Sequence, residues 1–388
     1  MTDVILDITR LVGRKLKERL PTGVDRVCLA YLEHFEHAQA FLYFHGQGIL
    51  LTPEHTAELK QWLLAEQTKG GSKHLKHHVE SLAWRTQQIA KILRSASVKA
   101  PRHALLFNVG HSGLEYPRYS HWLQQNAVRP IYMVHDLIPI THPEYCRDGE
   151  VKRHSKRMNG MLRTAAGIIT NSQDTLNELK KYSDRKAFTL PPCIVAHLGI
   201  PRALVFTDQP RPLAAPYFIM LGTIEPRKNH LLILNVWRKL VERYGESTPK
   251  LVLIGQRGWE CEQVVDMLER CPLLKDIVIE KPHVSDPELA LWLQHSEALL
   301  FPSFTEGFGL PLIEAIQQGI TVLASDIPVS REIVGNIPHY FDPLDGLGWM
   351  AGIEAVWQGK LAKRSSTPPI MPQWSDHFQR VDAWLDQL

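Results

Sequence analysis

Two acidic residues eight positions apart, Glu306 and Glu314, frame a Gly-Phe-Gly turn in the stretch FPSFTEGFGLPLIEAIQQG. The apolar run Leu299 to Pro302 reads as a buried strand, and LPLIEAIQQG reads as a helix stopped by Gly319. Pro311 suits the first helical position, where its missing N–H is an orphan anyway. Such a strand–turn–helix unit presents one carboxylate and several free backbone N–H groups in the turn, and a second carboxylate from the first helical turn. Gly307 and Gly309 let a ligand approach the main chain closely, and a helix N-terminus favours negative charge on that ligand. Carboxylates held this way suit the paired hydroxyls of sugars, so the unit points to a sugar-nucleotide site.

A second constellation lies in YFIMLGTIEPRKNHLLIL, residues 217–234. An apolar strand ends at Gly222, a polar turn follows from Thr223, and Asn229 is expected to cap the next helix. Arg227 and Lys228 then sit at a helix start, where the backbone dipole opposes cations. A bound diphosphate would supply the missing anion, with charge-assisted hydrogen bonds of about 1.5–3 kcal/mol each. Two ordinary exposed basic residues are the plainer reading, made weaker by the acidic unit that accompanies them. In LVLIGQRGWE a strand enters a loop at Gly255, a position that can wall a nucleotide base, and in KPHVSDPEL either Ser285 or Asp286 is expected to cap a helix. In the first half, Thr22-Gly23 precedes a helix whose backbone N–H groups suit phosphate. His135 and Asp136 end a buried strand, as a polar pair facing an interdomain cleft would; a histidine merely satisfied by hydrogen bonds there is an equal reading. His74, His77 and His78 have helical metal spacing without a third ligand and read as a solvated helix face, so no metal site is expected. Gly46-Gln47-Gly48 and Gly70-Gly71-Ser72-Lys73 lack the remaining residues of dinucleotide and phosphate loops.

The elements needed to position these groups alternate short apolar strands with longer helical patterns, the signature of parallel sheets covered by helices. Strands are expected at 3–8, 41–44, 104–109, 131–137, 167–170 and 187–192, and again at 217–222, 251–255, 276–280, 298–303 and 321–325. At 388 residues the chain suits two doubly wound α/β domains, divided near residue 207 in the Pro-rich stretch TDQPRPLAAP. Trp374, Phe378, Val381 and Trp384 define an amphipathic terminal helix that docks on the body. Residues 53–100 read as mostly helical and basic (Lys73, Lys76, Lys91, Arg94, Lys99), either a solvated face or a patch for a membrane surface or anionic acceptor. Hydrophobic content of 44%, charged content of 22% and a net charge of +3 are those of a soluble globular protein and give no case for nucleic acid. No run approaches the roughly 18 apolar residues of a membrane span. The acid near the N-terminus argues against a signal peptide. Five cysteines (Cys28, Cys146, Cys193, Cys261, Cys271), without a CxxC pair, suggest reduced thiols in the cytoplasm.

In that order, GTIEPRKNH, VLIGQRGW, HVSDPEL and FPSFTEGFGLPLIEA resemble the nucleotide-sugar domain of family 4 glycosyltransferases, and TGVDR, VHDLIP and IITNSQDT extend the likeness more loosely into the first half. The resemblance implies a GT-B fold, with two Rossmann-like domains facing a cleft. Residues 1–206 would form the acceptor domain and 207–370 the nucleotide-sugar domain, with 371–388 a helix crossing back to the first. It also implies retaining, metal-independent transfer, without a cofactor, from a nucleotide diphosphate sugar. Glu306 would then bind donor-sugar hydroxyls and Glu314 the ribose hydroxyls. The main chain of Gly307, Phe308, Gly309 and Leu310 would bind sugar and diphosphate, and Arg227 and Lys228 would neutralise the leaving diphosphate. Gly23 would lie near the phosphates and His135 near the reacting carbon, with Gly222, Thr223, Gly255 and Val284 completing the donor site. One departure from the family pattern is the basic segment RLVGRKLKERLPTG between first strand and helix, which suits an acceptor-binding element. The PRKN turn and TEGFGLP context resemble mannosyltransferases building surface polysaccharide, so GDP-mannose is the expected donor and a glycan or lipid-linked hydroxyl the acceptor. The enzyme would be cytoplasmic, with peripheral contact at the inner membrane as a further reading. A sugar-nucleotide epimerase and a non-catalytic sugar-nucleotide scaffold are the rival functions.

Overall fold

The computed structural model describes residues 3–17, 21–44, 46–65, 98–200, 208–361 and 371–388. The expected histidine face at 74–78, the glycine stretch at 70–73 and the basic positions 73–94 lie outside the described residues.

The first sheet has seven strands in the order β3-β2-β1-β4-β5-β6-β7: β1 (Val4–Asp7), β2 (Gln39–Phe44), β3 (Gln47–Leu50), β4 (Leu105–Asn108), β5 (Arg129–Val134), β6 (Gly167–Thr170) and β7 (Cys193–Val195). All its pairings are parallel except β2 with β3. The second has six parallel strands, β10-β9-β8-β11-β12-β13: β8 (Tyr217–Leu221), β9 (Lys250–Ile254), β10 (Val278–Lys281), β11 (Leu299–Phe301), β12 (Val322–Ser325) and β13 (His339–Phe341). Helices cover both sheets, so central strands such as β4 and β11 are buried on both faces and read as unbroken apolar runs. Strand order reverses beside β1 in the first sheet and beside β8 in the second. In such sheets the crevice for a ligand opens at the carboxyl ends of the strands flanking that reversal. In the second sheet these are the ends of β8 and β11, which carry the basic turn and the acidic turn.

Some elements differ from expectation. The segment 187–192 is not a strand; β7 begins at Cys193, because Pro191 and Pro192 have no N–H to give a ladder. Strands β3 and β13 are additional. The first part of the basic segment lies in a helix of its own, α1 (Thr9–Leu16), ahead of α2 (Gly23–His34). Helices α3 (Gln173–Arg185), α4 (His230–Tyr244) and α5 (Leu310–Gln317) precede the terminal helix, α6 (Trp374–Leu385). It returns to the first domain. His377 Nδ1 donates to the carbonyls of His197 (3.0 Å) and Ala196 (3.2 Å), which leaves Nε2 to accept from the Tyr31 hydroxyl at 2.9 Å. Phe378 stacks on His34 with ring centroids 3.8 Å apart. All five cysteines are free thiols. Among the described residues no helix is long and apolar enough to cross a membrane.

Candidate functional site

Gly222 closes β8, and the chain then makes a single tight turn over Pro226–Lys228 before α4. The loop after β11 meets it, pinned by the Phe304 N–H donating to the Arg227 carbonyl at 2.8 Å. This brings Glu306 under both cations. Arg227 Nη1 lies 2.5 Å from Glu306 Oε2, Lys228 Nζ lies 2.5 Å from Oε1, and the Ser303 hydroxyl donates to Oε1 at 2.7 Å. Glu225 takes the other side of Arg227, at 2.6 Å from Nη2. Glu306 is 8% exposed. Burial alone would raise its pKa, but Arg227, Lys228 and the hydrogen bonds outweigh burial and hold it at about 2. Burial pulls Lys228 down against the pull of Glu306, while Arg227 is held above its ordinary value because its acidic neighbours outweigh its burial. Glu225 is raised by burial, in spite of Arg227.

The anion that the basic turn needs is therefore present within the protein: Glu306, from a loop 78 residues away, faces Lys228. Asn229 does not cap α4 with its side chain. It adopts the left-handed region (φ 57°), its side chain donates to the Pro343 carbonyl at 2.8 Å, and the helix begins at His230. Burial, reinforced by Lys228, lowers the His230 pKa to about 3 and keeps that imidazole neutral at the helix start.

Glu314 projects from α5, where Pro311 is the second helical residue rather than the first. Its carboxylate is buried and meets the other domain: Arg26 Nη1, from the first turn of α2, lies 2.6 Å from Glu314 Oε1. The same guanidinium is 3.7 Å from Asp286, in the first turn of a helix that Ser285 caps by accepting from the Glu288 N–H. Burial raises the Glu314 pKa and Arg26 opposes that rise. Gly23, the first residue of α2, faces Leu310, the first of α5; a Cβ at Gly23 would lie 3.3 Å from Leu310 Cδ1. Two helix N-termini thus confront each other across the interdomain seam.

His135 follows β5, and its carbonyl abuts Gly307, where an added Cβ would lie 2.3 Å from that oxygen. Only glycine permits this approach between domains. The imidazole is buried, with Nε2 donating to the Val109 carbonyl at 2.7 Å. Burial lowers its pKa against the opposing effect of that hydrogen bond, so the ring is neutral and Nδ1 keeps its lone pair. His111 stands beside it and His154 beside His111, donating to the carbonyls of Met133 (2.7 Å) and Asp136 (3.1 Å) respectively. Ser172, the cap of α3, also donates to the Gly307 carbonyl at 3.2 Å. Glu332 accepts from the N–H groups of Gln173 (2.6 Å) and Asp174 (3.0 Å), a carboxylate from the second domain on a helix start of the first.

The remaining expected residues sit around this core. A Cβ at Gly255 would lie 2.0 Å from the Gly222 carbonyl oxygen, so the loops after β8 and β9 touch at Gly222 and Thr223. Phe308 is 4% exposed and belongs to the buried cluster that includes Leu312 and Ile313. Gly309 takes a left-handed conformation (φ 98°) just ahead of α5. Val284 packs on the core one residue before the Ser285 cap. Sequence reasoning missed Arg26, Glu225 and Ser303, as well as the network below α2. In that network Asp25 accepts from the Thr22 N–H (2.7 Å) and from Arg10 Nε (2.7 Å), and it forms an ion pair with Arg14 at 2.7 Å. The spacing of Thr22 and Asp25 is a capping box and signals the Asp25 part; nothing local signals Arg26. Among the described residues no cluster of His, Cys, Asp and Glu could hold a metal.

Residues 204–337 match the family model described as "Glycosyl transferases group 1". The chain is 31% identical over 225 residues to the serotype-specific mannosyltransferase WbdA of Escherichia coli, covering 54% of this chain and 27% of that one. It is 35% identical over 171 residues to the O-antigen chain mannosyltransferase RfbU of Salmonella typhimurium, covering 43% of each. These matches span well under two thirds of either relative's length. Over its full length the structure resembles Anabaena HepE, solved with UDP and glucose, at a TM-score of 0.69 and 15% identity, covering 100% of both chains. It also resembles the sucrose-phosphate synthase of Thermosynechococcus elongatus at a TM-score of 0.63 and 12% identity, covering 100% of this chain and 99% of that one. Over residues 204–337 the chain is thus similar to the group 1 glycosyl transferases, and its two α/β domains form a GT-B fold.

Proposed function

We propose that this protein is a retaining, metal-independent hexosyltransferase that moves mannose from GDP-mannose to a hydroxyl of a glycan or lipid-linked acceptor in surface-polysaccharide (O-antigen or capsule) synthesis. The observation that carries this reading is the meeting of Arg227 and Lys228 on the buried Glu306 at the strand ends of the second sheet, each at 2.5 Å. In this reading the donor's diphosphate takes over the two cations, which stabilise the charge that develops as it leaves. Glu306 is released to the sugar hydroxyls. Glu314 binds the ribose, and the main chain of Gly307, Phe308, Gly309 and Leu310 lines the sugar and diphosphate. Gly222, Thr223, Gly255 and Val284 border the nucleotide, with Gly23 facing the phosphates from the first domain. His135, neutral at physiological pH, lies near the reacting carbon, where a cation would oppose the positive charge developing on the sugar. In this reading the acceptor hydroxyl enters on the face that the diphosphate leaves.

Residues 1–206 act in this reading as the acceptor domain and 207–370 as the nucleotide-sugar domain, tied together by helix 371–388, in the cytoplasm. Mannose is favoured because WbdA and RfbU are named mannosyltransferases. The test is transfer from GDP-mannose to a polysaccharide acceptor fraction in EDTA, with the anomeric configuration of the product read by NMR. An inverted product would remove the same-face mechanism, and transfer from UDP- or dTDP-sugars alone would remove the donor assignment.

A further inference from the structure

We propose that Arg26 is a latch on the donor site: it pairs with Glu314 and must yield that carboxylate to the nucleotide before the donor can seat. This rests on the reading of Glu314 as the ribose-binding carboxylate. Three observations support it independently of that role. Arg26 stands in the first turn of α2, where a cation opposes the helix dipole, so its position is sustained by a partner outside the helix. That partner is a buried carboxylate of the other domain at 2.6 Å, a contact that exists only in this mutual setting of the domains. Leu310 also fills the space directly before Gly23, between the two helix starts where a diphosphate would lie.

The chemistry makes the exchange specific. Vicinal ribose hydroxyls donate to a carboxylate through both its oxygens, and Arg26 already takes Oε1 with a charged hydrogen bond. The site is thus self-neutralised at two points: Glu306 answers Arg227 and Lys228, and Arg26 answers Glu314. A nucleoside diphosphate is the one ligand class that relieves both, its phosphates replacing Glu306 and its ribose replacing Arg26. A free sugar or inorganic phosphate relieves only one. Arg26 is accordingly a specificity-determining residue, and it lowers apparent donor affinity by the fraction of molecules held latched.

Calorimetric titration of GDP and of UDP, scored on the tighter binder, tests this in the full chain. The proteins compared are wild type, Arg26→Ala, Arg26→Gln, Glu314→Gln and the Arg26→Ala/Glu314→Gln pair. Both Arg26 variants are expected to bind about tenfold tighter than wild type, equivalent to about 1.4 kcal/mol. By small-angle scattering their ligand-free forms are expected to be more open. Replacing Arg26 in the Glu314→Gln background should change affinity less than about twofold, since the latch is already undone. Unchanged or weaker binding by both Arg26 variants overturns the latch while leaving the ribose reading intact, provided the pair binds more weakly than Arg26→Ala alone. If the pair binds as tightly as Arg26→Ala, Glu314 does not hold ribose and the proposal falls with that reading.

Discussion

Replacing Glu306 by Gln isolates the electrostatic centre of the candidate site. A carboxylate whose ordinary value is 4.5 is held at about 2 by Arg227 and Lys228 in spite of its burial. That difference corresponds to roughly 3 kcal/mol of folding stability at neutral pH. Gln keeps the shape and removes the charge, leaving Lys228, which is 9% exposed, without its counter-ion. Breaking one partner of a buried pair typically costs about 3–5 kcal/mol, which agrees with the first figure. For a domain of about 150–250 residues each kcal/mol moves the melting point by about 2–4 °C, so the second domain's transition should fall by roughly 6–12 °C. Differential scanning calorimetry measures it. Because the folded carboxylate is depressed, its contribution is present above pH 4.5 and fades as pH falls towards 2; the gap between wild type and variant should close over that interval. Saturating GDP should narrow the gap at pH 7, because its diphosphate supplies the anion that Gln cannot. A variant that melts with wild type, or a GDP-induced rise no larger than in wild type, refutes the reasoning.

Lys228→Ala should lower transfer by on the order of 10²–10³ in kcat, as removal of one preorganised charge-stabilising donor does, with Arg227 still in place; a kcat within twofold of wild type contradicts its role. Gly307→Ala places a Cβ 2.3 Å from the His135 carbonyl oxygen, so the domains must shift apart; kcat should fall at least tenfold while each domain's melting transition stays within a few degrees. His377 has its pKa lowered from 6.5 to about 4, first by burial, so the neutral ring's contribution is complete above pH 6.5 and is lost as pH falls towards 4. Between pH 6.5 and 5 the loss should approach roughly 2 kcal/mol in urea unfolding, and His377→Gln should flatten that dependence. If the two pH profiles are parallel, His377 does not set the acid sensitivity of α6.

What the sequence conveys about the fold is what repeats locally. Runs such as ALLFNV and ALLFPS are buried on both faces of a parallel sheet, so the strand is written in every residue, and β4 and β11 lie inside those spans. The segment 187–192 misled because Phe188 and Leu190 are apolar for packing against the core, while the prolines beside them deny a ladder. Strand β3 starts with Gln47-Gly48, whose polar and small residues hide an antiparallel edge that is set by pairing with β2. Asn229 has the side chain of a helix cap, but Pro343, more than a hundred residues onward, competes for it.

The site divides along the same line. That Arg227 and Lys228 oppose their local helix field can be read from nine consecutive residues, and it correctly signals an anion close by. Which anion it is cannot be read locally. The answer depends on the reversal of strand order beside β8, which sets the loop after β11 against the loop after β8 and delivers Glu306 from 78 residues away. Arg26 is harder still, because its partner lies 288 residues away on another domain and only the facing starts of α2 and α5 bring them together. Both unforeseen pairings are of one kind: a charge set against a helix start, answered within the chain by a carboxylate from a remote loop or helix. A site whose charges are answered within the chain can keep them buried without unfolding, and it then demands that an entering ligand replace the internal partners rather than simply add to them. Selectivity for a molecule bearing both diphosphate and ribose follows from that demand, before any contact to the base is considered.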